Sequence, residues 1–157
     1  MNTPKQSAVE VSDLKKHVSF WMRFVSNHAS HAFARKLLKS DVIVAEWVVM
    51  RQMYGREAMA PSELADLIGM TRGAASKLVD RLVSKGLVTR KDRTDDRRFQ
   101  KIALTATGRK LVPALAALAD RNDEELFAPL TKSERETLLA TLKKLVQSHG
   151  LHGLPTE

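Results

Sequence analysis

Residues 71–108 read TRGAASKLVDRLVSKGLVTRKDRTDDRRFQKIALTATG. Thr71 has a hydroxyl placed to cap a helix. The run from there to about Lys85 keeps Ala75, Leu78, Val79 and Leu82 on one face. Gly73, Ser76, Lys77 and Asp80 line the opposite face, flanked by Arg72 and Arg81. Gly86 stops the helix. Leu87-Val88-Thr89 is then a short β-prone run. From Phe99 to Leu104 the pattern alternates, Gln100, Ile102 and Leu104 against Phe99, Lys101 and Ala103. Two strands around a charged tip predict a β-hairpin, and a hairpin directly behind such a helix is a wing.

Upstream, PSELADLIG at 61–69 predicts a short helix. Pro61 suits a first-turn position, Glu63 complements the positive helix end, and Gly69 closes it. Only Met70 separates Gly69 from Thr71, so the two helices make a helix-turn-helix corner. The outer face of the second helix is small and basic. Such a face fits a major groove, which needs close approach and donors for base edges. It would also serve as an ordinary solvated face. In the hairpin tip Asp92, Asp95 and Asp96 sit among arginines, where they can pair with them and hold one shape. Arginine suits a narrow minor groove because negative potential is concentrated there.

The stretch resembles the recognition helix, wing and following helix start of the MarR family of winged-helix transcriptional regulators. The matching pieces are Arg81-Leu82, Gly86-Leu87-Val88-Thr89-Arg90, Asp96-Arg97-Arg98 and Leu104-Thr105-Ala106-Thr107-Gly108. The resemblance implies a mainly α fold with a small β-wing. A winged helix-turn-helix DNA-binding lobe is joined to a helical dimerisation region built from the N- and C-terminal helices. It places a dimerisation helix in 1–40, the lobe in 41–104 (helix-turn-helix about 61–85, wing 87–104) and further dimerisation helices in 105–157. Carried onto this chain, Thr71, Arg72, Ser76 and Lys77 approach bases and phosphates. Arg81 is a phosphate contact or an intramolecular pair, Arg97 enters the minor groove, Asp96 and Arg98 shape the tip, and Arg90 supports the wing base. The expected partners are double-stranded DNA bearing an inverted repeat and a second copy of the chain. Ala60 departs from the family's usual hydroxyl cap.

The flanks read as helices. Residues 11–37 lack Gly and Pro, and Leu14, Val18, Trp21, Val25, Ala29 and Ala32 recur at helical spacing, with Ser12 or Asp13 as cap. Residues 41–54 are apolar almost all round, which fits a buried strand or a buried helix. Their length and the interruptions at Glu46 and Arg51 favour the helix, with Asp41 as cap. Thr105 caps a fifth helix that contains Pro113, which should bend it. Thr131 and Glu134 form a capping box for a sixth. Leu138, Leu139, Leu142, Leu145 and Val146 make a stripe on that last helix, more apolar surface than one small lobe covers. The tail GLHGLPTE reads as a frayed end.

Charge is concentrated where the motifs are. Residues 71–110 carry twelve basic and four acidic side chains, so this quarter of the 157-residue chain holds its entire net charge of +8. A polyanion is the natural partner, because basic groups displace counterions condensed on phosphates. The absence of cysteine removes disulfides, thiolate nucleophiles and cysteine metal sites. No apolar run is long enough to span a membrane, and the N-terminus lacks a signal core, so a cytoplasmic protein is expected. No phosphate-cradling glycine loop, serine elbow or paired carboxylates occur, so no enzyme and no cofactor are expected.

The family resemblance also implies a small aromatic or anionic effector, bound between the dimerisation helices and the lobe. His17, Trp21, Phe24, His28 and His31 share a broad face of the first helix, and Trp47 and Arg51 lie on the second. An aromatic wall with one cation suits a phenolic or carboxylated ligand. The same residues would also serve as packing in a dimer core, and the sequence leaves both readings open. His28 and His31 have usable metal spacing, but without an acidic or cysteine partner no metal site is expected. The resulting expectation is a sequence-specific regulator, by default a repressor, released by a ligand. The rival is a winged-helix DNA binder without ligand control.

Overall fold

The computed structural model describes residues 11–91 and 100–156. Six helices and one two-stranded sheet follow in the order α1 (Val18–Leu37), α2 (Val44–Met53), α3 (Pro61–Ile68), α4 (Arg72–Ser84), β1 (Val88–Lys91), β2 (Lys101–Leu104), α5 (Ala106–Phe127) and α6 (Lys132–Ser148). The strands are antiparallel, pairing Val88 with Leu104 and Lys91 with Lys101. Met59 extends the sheet by one bridge, exchanging both backbone hydrogen bonds with Ile102 at 2.9 and 2.8 Å. The expected mainly α fold with a small wing sheet is the observed one.

One core unites the lobe. Leu37 from α1, Val49, Met50 and Met53 from α2, Leu64 and Ile68 from α3, and Val79 and Leu82 from α4 meet Ile102 from β2 and Leu115 from α5. The inward faces of α3 and α4 are the ones their helical spacing predicts. Three hydroxyl caps act where the sequence places them. Thr71 Oγ1 accepts from the Ala74 N–H at 3.2 Å, Thr105 Oγ1 from Gly108 at 3.0 Å, and Thr131 Oγ1 from Glu134 at 3.2 Å. Each satisfies an N–H that the first turn leaves without an intrahelical partner. At α6 the box is reciprocal, the Thr131 N–H donating to Glu134 Oε2 at 2.8 Å. The backbone and then the hydroxyl of Thr131 hold the Glu134 carboxyl below its ordinary range. Its small contribution is therefore present above the ordinary carboxylate range and lost as pH falls through the lowered value.

Other expectations change. The first helix starts at Val18, not near residue 11, and Asp13 instead caps a separate 3-10 turn over Leu14–Lys16. His17 between them is extended, with ψ 123°. Asp41 does not cap α2. It adopts the left-handed conformation at φ 52°, ending a 3-10 turn over Leu38–Ser40, a region that Asp enters more readily than most side chains. The cap position falls to Ile43, whose N–H is taken by Glu46 Oε2 at 3.0 Å. Pro113 lies inside α5, as expected, on its exposed side.

The tail is docked, not frayed. Left-handed glycines at Gly150 (φ 56°) and Gly153 (φ 88°) turn it back, and the Leu154 N–H donates to the Ile68 carbonyl at 3.2 Å. Gly153 lies so close to Gly69 that a Cβ on Gly69 would sit 2.5 Å from the Gly153 Cα.

Candidate nucleic-acid interface

Helix α4 is held by its inner face and free on its outer one. Ala75, Val79 and Leu82 are buried, while Thr71, Arg72, Gly73, Ala74 and Lys77 are exposed and Ser76 is half-buried. Gly69 makes the turn into α4 possible, with φ 69° and its N–H bonded back to α3. The first turn of α4 therefore projects from the lobe with its N–H groups and two cations outward. Arg72 and Lys77 have no hydrogen-bond or ion-pair partner among the described residues, so their charge is available to an anion.

Gly73 adds a second feature. A Cβ built on it would meet nothing within 4 Å. Its backbone is ordinary helix, so neither packing nor conformation within the chain requires glycine. Glycine there still costs about 1 kcal/mol relative to alanine in a helix interior.

The remaining cations of the predicted set are engaged internally. Arg90, on β1, donates through Nη1 to Gln100 Oε1 at 3.1 Å and pairs through Nη2 with Asp80 on α4. It ties the base of the hairpin to the helix. Arg81 Nε lies 3.0 Å from Glu46 Oε1. Asp96, Arg97 and Arg98 lie outside the described residues.

Among the described residues, Trp21 and His28 line different clefts of a single chain. Trp21 lines a groove of about 630 Å³ together with residues of α1, α5 and α6, among them Val25, Phe127, Leu138 and Leu142. His28 borders a small cleft with Asn122 and Glu125. Neither wall includes Trp47 or Arg51. Trp47 packs edge-on against Phe33, with ring centroids 6.3 Å apart. Trp21 clusters with Phe20 and Phe24, and its Nε1–H donates to the Lys15 carbonyl at 2.9 Å. His17 is exposed at the start of α1.

Sequence reasoning missed Glu46. It is the one charged residue among the described residues that is fully buried. A lone carboxylate in an otherwise apolar helix was the available signal, since a buried charge demands partners. Those partners stand 35 and 39 positions away, at Arg81 and Lys85, which no local spacing reveals.

The geometry has counterparts among known proteins. The MarR-family model matches residues 44–99, which include α2, α3, α4 and β1. The transcriptional regulator HosA of Escherichia coli is 25% identical over 108 residues, which is 69% of this chain and 80% of that protein. Over residues 44–99 the chain is similar to the MarR family. Among solved MarR-family structures, the S. aureus MepR–DNA complex superposes with a TM-score of 0.74 at 25% identity, covering 84% of this chain and 98% of that one. A mutant of E. coli MarR complexed with operator DNA gives 0.74 at 27% identity, over 86% and 99%. No helix among the described residues is long and apolar enough to cross a membrane.

Proposed function

We propose that this chain is a cytoplasmic repressor that binds an inverted-repeat operator as a homodimer and is released by a small aromatic or anionic ligand. The observation that carries the DNA half is the outer face of α4, uncovered by the rest of the chain. It offers Thr71, Arg72, Ser76 and Lys77 around the gap at Gly73. The lobe at 41–104 reads the major groove through that face, and Arg97 reaches the minor groove from the wing tip, shaped by Asp96 and Arg98. Residues 1–40 and 105–157 supply the dimerisation helices. Two copies related by a two-fold axis require half-sites about one helical turn apart.

The test is selection of genomic fragments on the purified protein at moderate salt, followed by sequencing. Enrichment of one inverted repeat supports the reading, and retention without preference overturns it. Gly73→Ala gives a sharper check, because its two effects have opposite signs. Filling an unstrained helical glycine should raise folding stability by about 0.5–1 kcal/mol. The added methyl should also weaken operator binding by roughly tenfold, since it enters space reserved for the groove wall. Thermal melting and an operator titration read the two effects separately. Affinity that stays unchanged while stability rises would mean that the first turn of α4 does not approach DNA closely.

For the ligand half, His17, Trp21, Phe24, His28, Trp47 and Arg51 remain the proposed wall, closed between two copies. A winged-helix DNA binder without ligand control is the second reading. The edge-on packing of Trp47 against Phe33 favours it, because that contact uses the ring as core. Phenolic and carboxylated aromatics that shift operator affinity saturably would separate the two.

A further inference from the structure

A single buried carboxylate holds the C-terminal end of α4. Glu46, in the first turn of α2, is 0% exposed. Its Oε2 accepts from Lys85 Nζ at 2.9 Å as well as from the Ile43 N–H. Its Oε1 has Arg81 Nε at 3.0 Å, close enough for the charges to pair. That N–H is not aimed along the contact, so Oε1 accepts no hydrogen bond among the described residues. Lys85 reaches on to Asp41, donating to its backbone carbonyl and standing 3.8 Å from its Oδ2. Asp41 is the only non-glycine residue with positive φ among the described residues. The end of α4 is thus fastened both to α2 and to the left-handed corner that precedes it.

Charge matters here as much as tethering. Arg81 and Lys85 belong to the basic quarter of the chain, yet Glu46 and Asp41 neutralise both. A cation so engaged is not free to displace a counterion from a phosphate, the step that makes protein–DNA binding salt-dependent and sequence-independent. The free cations Arg72 and Lys77 stand at the opposite, base-reading end of the helix.

Resting on the DNA-binding reading above, we propose that Glu46 is a positioning residue for sequence recognition. It fixes the direction in which α4 leaves the lobe, and it withholds Arg81 and Lys85 from the DNA backbone. The first turn of α4 then reads bases at a set angle, and phosphate attraction stays weak at the other end. Without the clasp, α4 would pivot about its Ala75–Val79–Leu82 face and two cations would be released toward the duplex.

Glu46→Gln is the test, because glutamine keeps the volume and can still accept from the Ile43 N–H. Arg81 and Lys85 are partly exposed, so both can turn to water instead of remaining buried and unpaired. Affinity for the selected operator and for an unrelated duplex is titrated across a salt series, beside a thermal melt. The expected result is a specificity ratio lowered by roughly tenfold or more, with the salt slope on unrelated DNA steeper by about one to two phosphates. A merely structural role would lower both affinities together through the folded fraction, leaving ratio and slope unchanged, and would overturn the proposal. Arg81→Gln keeps the test decisive should Glu46→Gln not fold. Its operator affinity should fall with the salt slope unaltered, whereas a slope reduced by about one phosphate would place Arg81 on DNA and overturn the clasp. Wild-type protein that prefers no duplex would instead overturn the DNA reading itself.

Discussion

Leu142→Glu is expected to convert the protein from dimer to monomer while leaving the lobe folded. Helix α6 buries none of its residues within one chain. Leu138, Leu139, Leu142, Leu145 and Val146 are 36–53% exposed along it. Across the 630 Å³ groove, α1 presents Val18 at 74%, Trp21 at 53% and Val25 at 47% exposure. Contiguous apolar surface of this kind is uncommon on a monomer. A second copy with the same helices can cover it with a matching face, as two-fold interfaces do. Glutamate at 142 would then be buried without a partner in both copies, which costs several kcal/mol, on the order of a hundredfold or more in dimer affinity. The lobe should survive because its core, from Leu37 to Leu115, contains no residue of α6. Sedimentation should show a dimer for the wild type and a monomer for the variant. Operator affinity should fall by roughly a hundredfold or more as the two half-sites cease to act together. A variant that still sediments as a dimer would remove α6 from the interface, and a monomeric wild type would remove the dimer.

The sequence is legible wherever the deciding interaction is short in chain distance. Thr71, Thr105 and Thr131 each cap an N–H three residues on, and each is visible as a hydroxyl before a periodic run. The second strand follows from alternation, and Gly69 marks the turn between α3 and α4, where the backbone has positive φ. What escapes is set by distant partners. Asp41 has a cap's chemistry and a cap's place, but the chain turns left-handed at it and its carbonyl goes to Lys85, 44 residues away. The tail has two glycines and a polar end, the composition of a loose terminus. Its docking depends on the Ile68 carbonyl and the bare Cα of Gly69. Of the candidate site, the outer face of α4 was readable from periodicity. That Arg81 and Arg90 are spent on Glu46 and Asp80 was not, because a charge's availability depends on the whole fold.

Gly108→Ala is expected to destabilise the protein by about 2 kcal/mol or more, a large effect for so small a change. Helix propensity alone predicts a gain of about 1 kcal/mol from this substitution, so the sign depends on space. A Cβ on Gly108 would lie 2.2 Å from the Leu87 carbonyl oxygen and 3.1 Å from its carbon. Both are backbone atoms and cannot swing aside. That carbonyl is further fixed by accepting from the Thr105 N–H at 3.0 Å, while Thr105 Oγ1 donates to the Gly86 carbonyl at 2.7 Å. The start of α5 is therefore stitched to the turn that ends α4, and only a residue without a side chain fits between them. This gives the Leu-Thr-x-x-Gly motif at 104–108 a physical reason: the threonine caps the helix and ties it to the turn, and the glycine lets the two backbones touch. Gly73→Ala makes the same chemical change in an open helical position, so melting the two variants side by side isolates the steric term. Gly73→Ala should melt above the wild type and Gly108→Ala several degrees below it. A stable Gly108→Ala protein would mean that α5 does not meet the Leu87 carbonyl. Helix α4 would then lack the anchor that ties the turn at its end to α5.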